Sequence, residues 1–268
     1  MSFDTLHHPP GKTISPLTAY QRGMLSQLQP AMLALALLPV LVFAVAWGWV
    51  FWISWSYWLG ALDKLLGMLP WVGPWFAHAP DEGSGWFAAT LTGALILLIY
   101  VLLTLVCALT FVSTFGMPFM LRHVARDYPD LERLRGGSFT GSLRNALGAI
   151  GWFTLFSIIT LPLWFVPLLG WLVPLVLFGL LNARVLRYDA LSEHASMEEM
   201  AQLSRAPRLY WRVMGFGGAL LNVVPLAWFF STTLTGLAFI HYALAALQAQ
   251  RAAGMKAGTQ GRNAQAQA

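Results

Sequence analysis

The sequence predicts an all-α integral membrane protein with two long transmembrane helices and two Pro/Gly-broken helical hairpins, partly or fully spanning. Three observations predict it. The 268 residues are 57% hydrophobic and 10% charged, with a mean hydropathy of +0.62, whereas a soluble domain is nearer a quarter charged. Four long apolar blocks contain no Asp, Glu, Lys or Arg. Two of those blocks run unbroken, and two are interrupted near the middle by proline and glycine. Continuous apolar runs are helix signals, because a bilayer satisfies no backbone polar group and a spanning barrel would alternate instead.

Residues 1–22 are polar and carry Pro9, Pro10 and Pro16. They read as a cytoplasmic lead with no cleavable signal peptide, followed by a short interfacial helix near Ala19–Leu28. A single membrane domain then covers 23–250. Its first span is 31–59, kinked at Pro39 and rich in aromatics at the far end (Trp47, Trp49, Phe51, Trp52, Trp55, Tyr57, Trp58), as at a headgroup interface. Residues 60–85, amphipathic and broken by Pro70, Pro74 and Pro80, lie on the far surface. The second span, 86–121, exceeds a hydrocarbon core of about 30 Å and must tilt or project. Residues 122–144 are polar and basic, with a loop at Gly136–Gly137.

The first hairpin is 145–183, flanked by Arg144 and Arg184, with Pro162, Pro167, Gly170 and Pro174 crowding its centre and a bend at Val166–Trp171. A charged stretch follows, with a helix near Met197–Ser204 and a break at Pro207. The second hairpin is 213–250, interrupted by Asn222 and Pro225. Val166-Pro167-Leu168 and Val224-Pro225-Leu226 form a weak internal repeat. Residues 251–268 read as a disordered tail.

With both hairpins returning to one side, every cation except Lys64 falls on that side. The positive-inside rule makes it cytoplasmic, with both termini. The net charge of +5 then reflects topology rather than nucleic-acid binding. Cys107, the single cysteine, reads as a small apolar residue.

Catalysis has nothing to stand on. No ionisable Asp, Glu, Lys or Arg sits at membrane depth, and HExxH, GxSxG and Walker patterns are absent, so neither an enzyme nor a cofactor or metal site is expected. Broken helices offer something else. They expose N–H groups and positive dipole ends that suit anions. The expected substrate path therefore runs past Leu168 and Gly170 at the first bend and Asn222 at the second, with Ser231, Thr232 and Thr233 as donors. The competing reading is that these hydroxyls bond their own helix. Arg122 and Arg126 are a second candidate for anion capture, against the plainer reading that they are topology signals beside anionic lipid. His241, the one histidine in an apolar block, is expected near a helix end, bonded to backbone.

Four stretches resemble the bacterial CysZ-type sulfate permeases and the related etoposide-induced membrane proteins. They are Gln29-Pro30 with Leu37-Leu38-Pro39-Val40-Leu41-Val42; Pro118-Phe119; Phe165-Val166-Pro167-Leu168-Leu169-Gly170 running on to Tyr188-Asp189 and Glu193-His194; and Val224-Pro225-Leu226. The resemblance implies two long helices with two part-way hairpins, sulfate entry for cysteine synthesis across the bacterial inner membrane, and dimers or larger oligomers. It also marks a departure. The family's arginine pair after Gln-Pro is here Leu33 and Ala34, and its glycine-leucine motif after Pro-Phe is here Met120-Leu121-Arg122. A non-transporting scaffold of lipids or partners is the rival expectation.

Overall fold

A computed structural model describes residues 13–71, 73, 85–205, 208–224 and 227–266. Among them the chain is 85% helix, with no strand. The helices are α1 (Pro16–Gln27), α2 (Pro30–Ile53), α3 (Trp55–Gly67), α4 (Gly85–Val124), α5 (Phe139–Thr160), α6 (Leu169–Leu191), α7 (Met197–Arg205), α8 (Arg208–Leu221) and α9 (Trp228–Ala266). Five segments of the described residues are long and apolar enough to cross a membrane: 30–53, 89–127, 139–165, 169–191 and 230–257. The chain divides into two compact units, 35–114 and 1–34 with 115–268.

In the first unit, Phe51, Leu62 and Ile96 form a small buried core. The Phe51 ring stacks on Trp58 at 5.0 Å and meets the Tyr100 ring edge-on at 5.9 Å. The Tyr100 hydroxyl donates to the Ala44 carbonyl at 3.1 Å, so its one polar atom is satisfied inside an apolar contact. Phe51 therefore leaves the expected aromatic belt, whereas Trp49, Trp52 and Tyr57 stay largely exposed. The first span ends at Ile53 rather than at 59. The Ser54 hydroxyl donates back to the Val50 carbonyl, a local bond that competes with continued helix, and α3 starts afresh. Asp63 of α3 accepts from Thr92 at 2.9 Å. Residues 72 and 74–84, most of the expected surface segment, lie outside the described residues. Pro118 lies inside α4, which runs to Val124 rather than 121.

The second unit is organised around α9. In its membrane-length window 83% of the residues are buried, against 6 to 22% in the other four candidate spans. Leu237, Phe239, Ile240, Leu244 and Leu247 are fully enclosed. A helix apolar on all sides belongs in the middle of a bundle. Packed on it are α1, α6 and α8. The Ser15 hydroxyl caps α1, and Pro16 opens it. This helix packs on α9 through Gly23, where a β-carbon would sit 3.0 Å from the Ala238 nitrogen. The expected interfacial helix is thus part of the core, and the boundary at residue 22 falls inside it.

The first hairpin turns where expected. A short 3-10 turn, Leu161–Phe165, ends α5, and Leu168 (φ 73°, ψ −48°) starts α6. Gly170 fits because a β-carbon there would lie 2.3 Å from the Trp164 carbonyl oxygen. The two hairpins are unequal. At about 1.5 Å per residue the 22 residues of α5 and 23 of α6 each exceed ~30 Å, but the 14 of α8 reach only about 21 Å. The supposed disordered tail is also corrected, since α9 continues to Ala266. Adding a residue to an existing helix is far cheaper than nucleating one, and this segment is rich in Ala, which offsets Gly254, Gly258 and Gly261.

Candidate functional site

The two bends carry the residues expected to meet an anion. At the first, Leu168 is 78% exposed and Gly170 lies in the opening turn of α6. At the second, the Ser231 hydroxyl donates to the Asn222 side-chain oxygen, joining residues on either side of the break. Pro225 and Leu226 lie outside the described residues. Thr232 is half-buried, and Thr233 is fully buried with its hydroxyl donating to the Phe230 carbonyl at 3.1 Å. Local bonding therefore takes Thr233, while Asn222 and Ser231 come together. Arg122, in the last turn of α4, and Arg126, in the 3-10 turn beyond it, are both exposed.

His241 lies in the middle of α9 rather than at a helix end. Its Nε2 meets the buried Ser26 hydroxyl at 2.9 Å, and its backbone carbonyl accepts from the Tyr128 hydroxyl at 3.3 Å. Arg22 donates to the same hydroxyl at 3.4 Å. Burial raises the Tyr128 pKa, so the phenol stays protonated. These contacts tie α1 and the 128 loop to the central helix.

At the feet of the hairpins the chain is held by backbone pairing. The Arg135, Gly136 and Gly137 amides donate to the Glu193, Ala195 and Ser192 carbonyls at 2.9 to 3.0 Å. Arg251 of α9 grips this corner with its whole guanidinium. Its nitrogens reach both Glu199 oxygens at 2.8 and 3.0 Å, the His194 carbonyl at 2.8 Å and the Glu132 carbonyl at 3.0 Å. The bidentate bond to Arg251 holds the Glu199 carboxyl below its ordinary range. Burial, with Arg133 next, lowers His194.

Between the feet lies a cavity of about 620 Å³ that the sequence reasoning missed. Four arginines line it, Arg184 and Arg187 from α6, Arg208 and Arg212 from α8. The spacings, i to i+3 and i to i+4, put each pair on one helix face. Trp152 and Trp211 add aromatic walls. The cavity depends on a close crossing of α6 and α8. A β-carbon on Gly215 would lie 2.1 Å from the Gly179 carbonyl oxygen and 2.8 Å from the Ala183 β-carbon. Gly179/Ala183 and Gly215/Ala219 are both small residues four apart, the pattern that lets membrane helices approach. Arg184 follows this contact immediately, and Arg212 precedes it by three residues. The signal was readable as two arginine pairs at helical spacing, but nothing linear places them face to face. Neither Arg122 nor Arg126 lines the cavity.

A family model described as Sulfate transporter CysZ/Etoposide-induced protein 2.4 matches residues 19–232. No curated protein and no solved structure matches the chain. The match runs from α1 through both hairpin bends to the opening of α9, and on that evidence the chain belongs to the CysZ/etoposide-induced protein 2.4 family of sulfate-transporter-like membrane proteins.

Proposed function

We propose that this protein is a non-enzymatic, channel-like permease for a small oxyanion, sulfate first, serving sulfate uptake for cysteine synthesis. It would sit in a bacterial inner membrane with both termini cytoplasmic, as a homo-oligomer. The observation that carries this reading is the pairing of Asn222 with Ser231 across a break in an otherwise uncharged apolar block. Asn222 and Ser231 bond each other where the chain reverses, so polar groups are held in place among apolar neighbours, a setting that suits a polar substrate. Family membership supports sulfate as the first substrate class to test.

A scaffold without transport is the second reading, favoured by the local bond of Thr233 and the close packing of α9. Sulfate flux into proteoliposomes, with phosphate and chloride alongside, separates the two. Saturable, sulfate-selective uptake that falls in Asn222→Ala supports the permease. Folded protein that passes no anion supports the scaffold.

A further inference from the structure

We propose that the cavity between the hairpin feet is a binding site for a tetrahedral, multiply charged oxyanion, held by Arg184, Arg187, Arg208 and Arg212. This site is separate from the bends, and neither Leu33 nor Ala34 lines it. It rests on the permease reading only for the choice of sulfate as the first probe.

Four observations carry it. Among the described residues no acidic side chain lines the cavity. Among the described residues the one ion pair is Arg251–Glu199, which includes none of these four arginines, and none of their guanidinium groups has a protein hydrogen-bond acceptor. Arg184, Arg208 and Arg212 are exposed and Arg187 is half-buried, so water meets their donors when no anion is bound, and an entering anion finds up to five donors on each guanidinium with only like charge around them. Second, the site is built on backbone rather than on mobile loops. The Gly179/Gly215 contact fixes α6 against α8, and the Asn145 amide donates to the Arg184 carbonyl at 3.2 Å, fixing α5 to the same helix. Third, the Trp211 indole is oriented by its bond to the Leu203 carbonyl at 3.3 Å, which makes a firm wall beside Arg208 and Arg212. Fourth, Arg208 is the first residue of α8, so the positive end of that helix dipole adds to the field.

Guanidinium forks match the paired oxygens of sulfate or of a phosphate group, and a divalent charge is favoured over chloride. The same chemistry belongs to a free anion and to the phosphate of an anionic lipid headgroup, and the apolar lining of Trp152, Leu180 and Ala183 would tolerate either.

The test uses the full chain in phosphatidylcholine nanodiscs. Radiolabelled sulfate binding is measured for the parent, for Arg187→Gln/Arg208→Gln and for Arg187→Lys/Arg208→Lys, with phosphatidylglycerol added in a second arm. The expected result is saturable sulfate binding that weakens at least about tenfold in the glutamine variant and is partly kept in the lysine variant. Loss of sulfate binding when phosphatidylglycerol is present assigns the site to a lipid headgroup; no effect of the lipid assigns it to the free anion.

Melting temperature supplies a check that needs no variant. At matched ionic strength, sulfate or phosphate should raise it above chloride. In chloride buffer free of sulfate and phosphate the glutamine variant should melt no lower than the parent, because it removes like-charge repulsion. Equal sulfate affinity in parent and glutamine variant overturns the proposal, as does an equal response of the parent to sulfate and chloride with no effect of phosphatidylglycerol. Binding without flux leaves the site standing and removes the permease; flux that ignores both arginine variants does the reverse.

Discussion

Replacing Gly215 by alanine should open the α6–α8 crossing. The new β-carbon would sit 2.1 Å from the Gly179 carbonyl oxygen, 2.8 Å from the Ala183 β-carbon and 2.9 Å from the Ala183 nitrogen. Two of those three atoms are backbone, so no rotamer change relieves the clash. Contacting heavy atoms prefer about 3.5–4.0 Å, so the helices must part by more than ~1 Å along this contact. Overpacking of this kind costs roughly 1–3 kcal/mol, and occasionally more. Alanine's better helix propensity returns at most about 1 kcal/mol. Gly151 on α5 is the matched control, because a β-carbon there meets nothing within 4 Å; Gly151→Ala should be neutral or stabilising by up to ~1 kcal/mol. The two alanine variants should thus differ by roughly 2 kcal/mol, a gap of about 4–8 °C in melting temperature at 2–4 °C per kcal/mol. The assay is thermal unfolding of purified protein in one detergent, with sulfate binding measured on the same samples. Gly215→Ala should also lose affinity, because the crossing sets the distance between the two arginine pairs. If the two variants melt together, the close crossing does not exist as described, and the cavity argument goes with it.

Other outcomes follow from the same structure. The folded-state pKa values of Glu199 and His194 are both depressed. Their contribution is therefore complete above the unfolded values, near 6.5 for His and 4.3 for Glu, and is lost as pH falls through the folded ones. Protection factors of the amides of residues 131–137, with the intrinsic pH dependence of exchange divided out, should fall on acidification, first below about pH 6.5 and again below about 4.3, and Arg251→Ala should produce the same loosening at neutral pH. Leu168 is 78% exposed at φ 73°, a conformation costing a residue with a β-carbon about 1–3 kcal/mol. Leu168→Gly should therefore hold or raise the melting temperature, and Leu168→Val, being β-branched, should lower it. The Tyr20 hydroxyl donates to the Met214 carbonyl at 2.6 Å, and burial raises its pKa to about 12. Tyr20→Phe should cost about 1 kcal/mol with no pH dependence between 6 and 10, read from melting curves.

Much of the architecture was legible because its cause is local. A block without charge must be in lipid or in a core, and that is visible residue by residue. Pro167 and Gly170 forbid a straight helix, so the first bend falls where their backbone limits put it. Met197 was likewise readable as the start of a helix, from the change of composition alone. The end of the first span was misread at Ser54, because a serine looks the same whether its hydroxyl faces water or bonds Val50. The tail was misread because low complexity resembles disorder unless an existing helix is there to be extended.

The sequence by itself determined that this is a helical membrane protein and where its apolar blocks reverse, since both depend on hydropathy and on backbone restrictions carried by single residues. The tertiary structure decided which block is central and which basic residues meet. Hydropathy cannot distinguish a helix solvated by lipid from one solvated by other helices, so α9, no more apolar in sequence than its neighbours, became the buried axis only through packing. The four-arginine cavity likewise exists only once Gly179 and Gly215 bring α6 and α8 within backbone contact. That register is set by shape between segments about 30 residues apart, and no local rule encodes it.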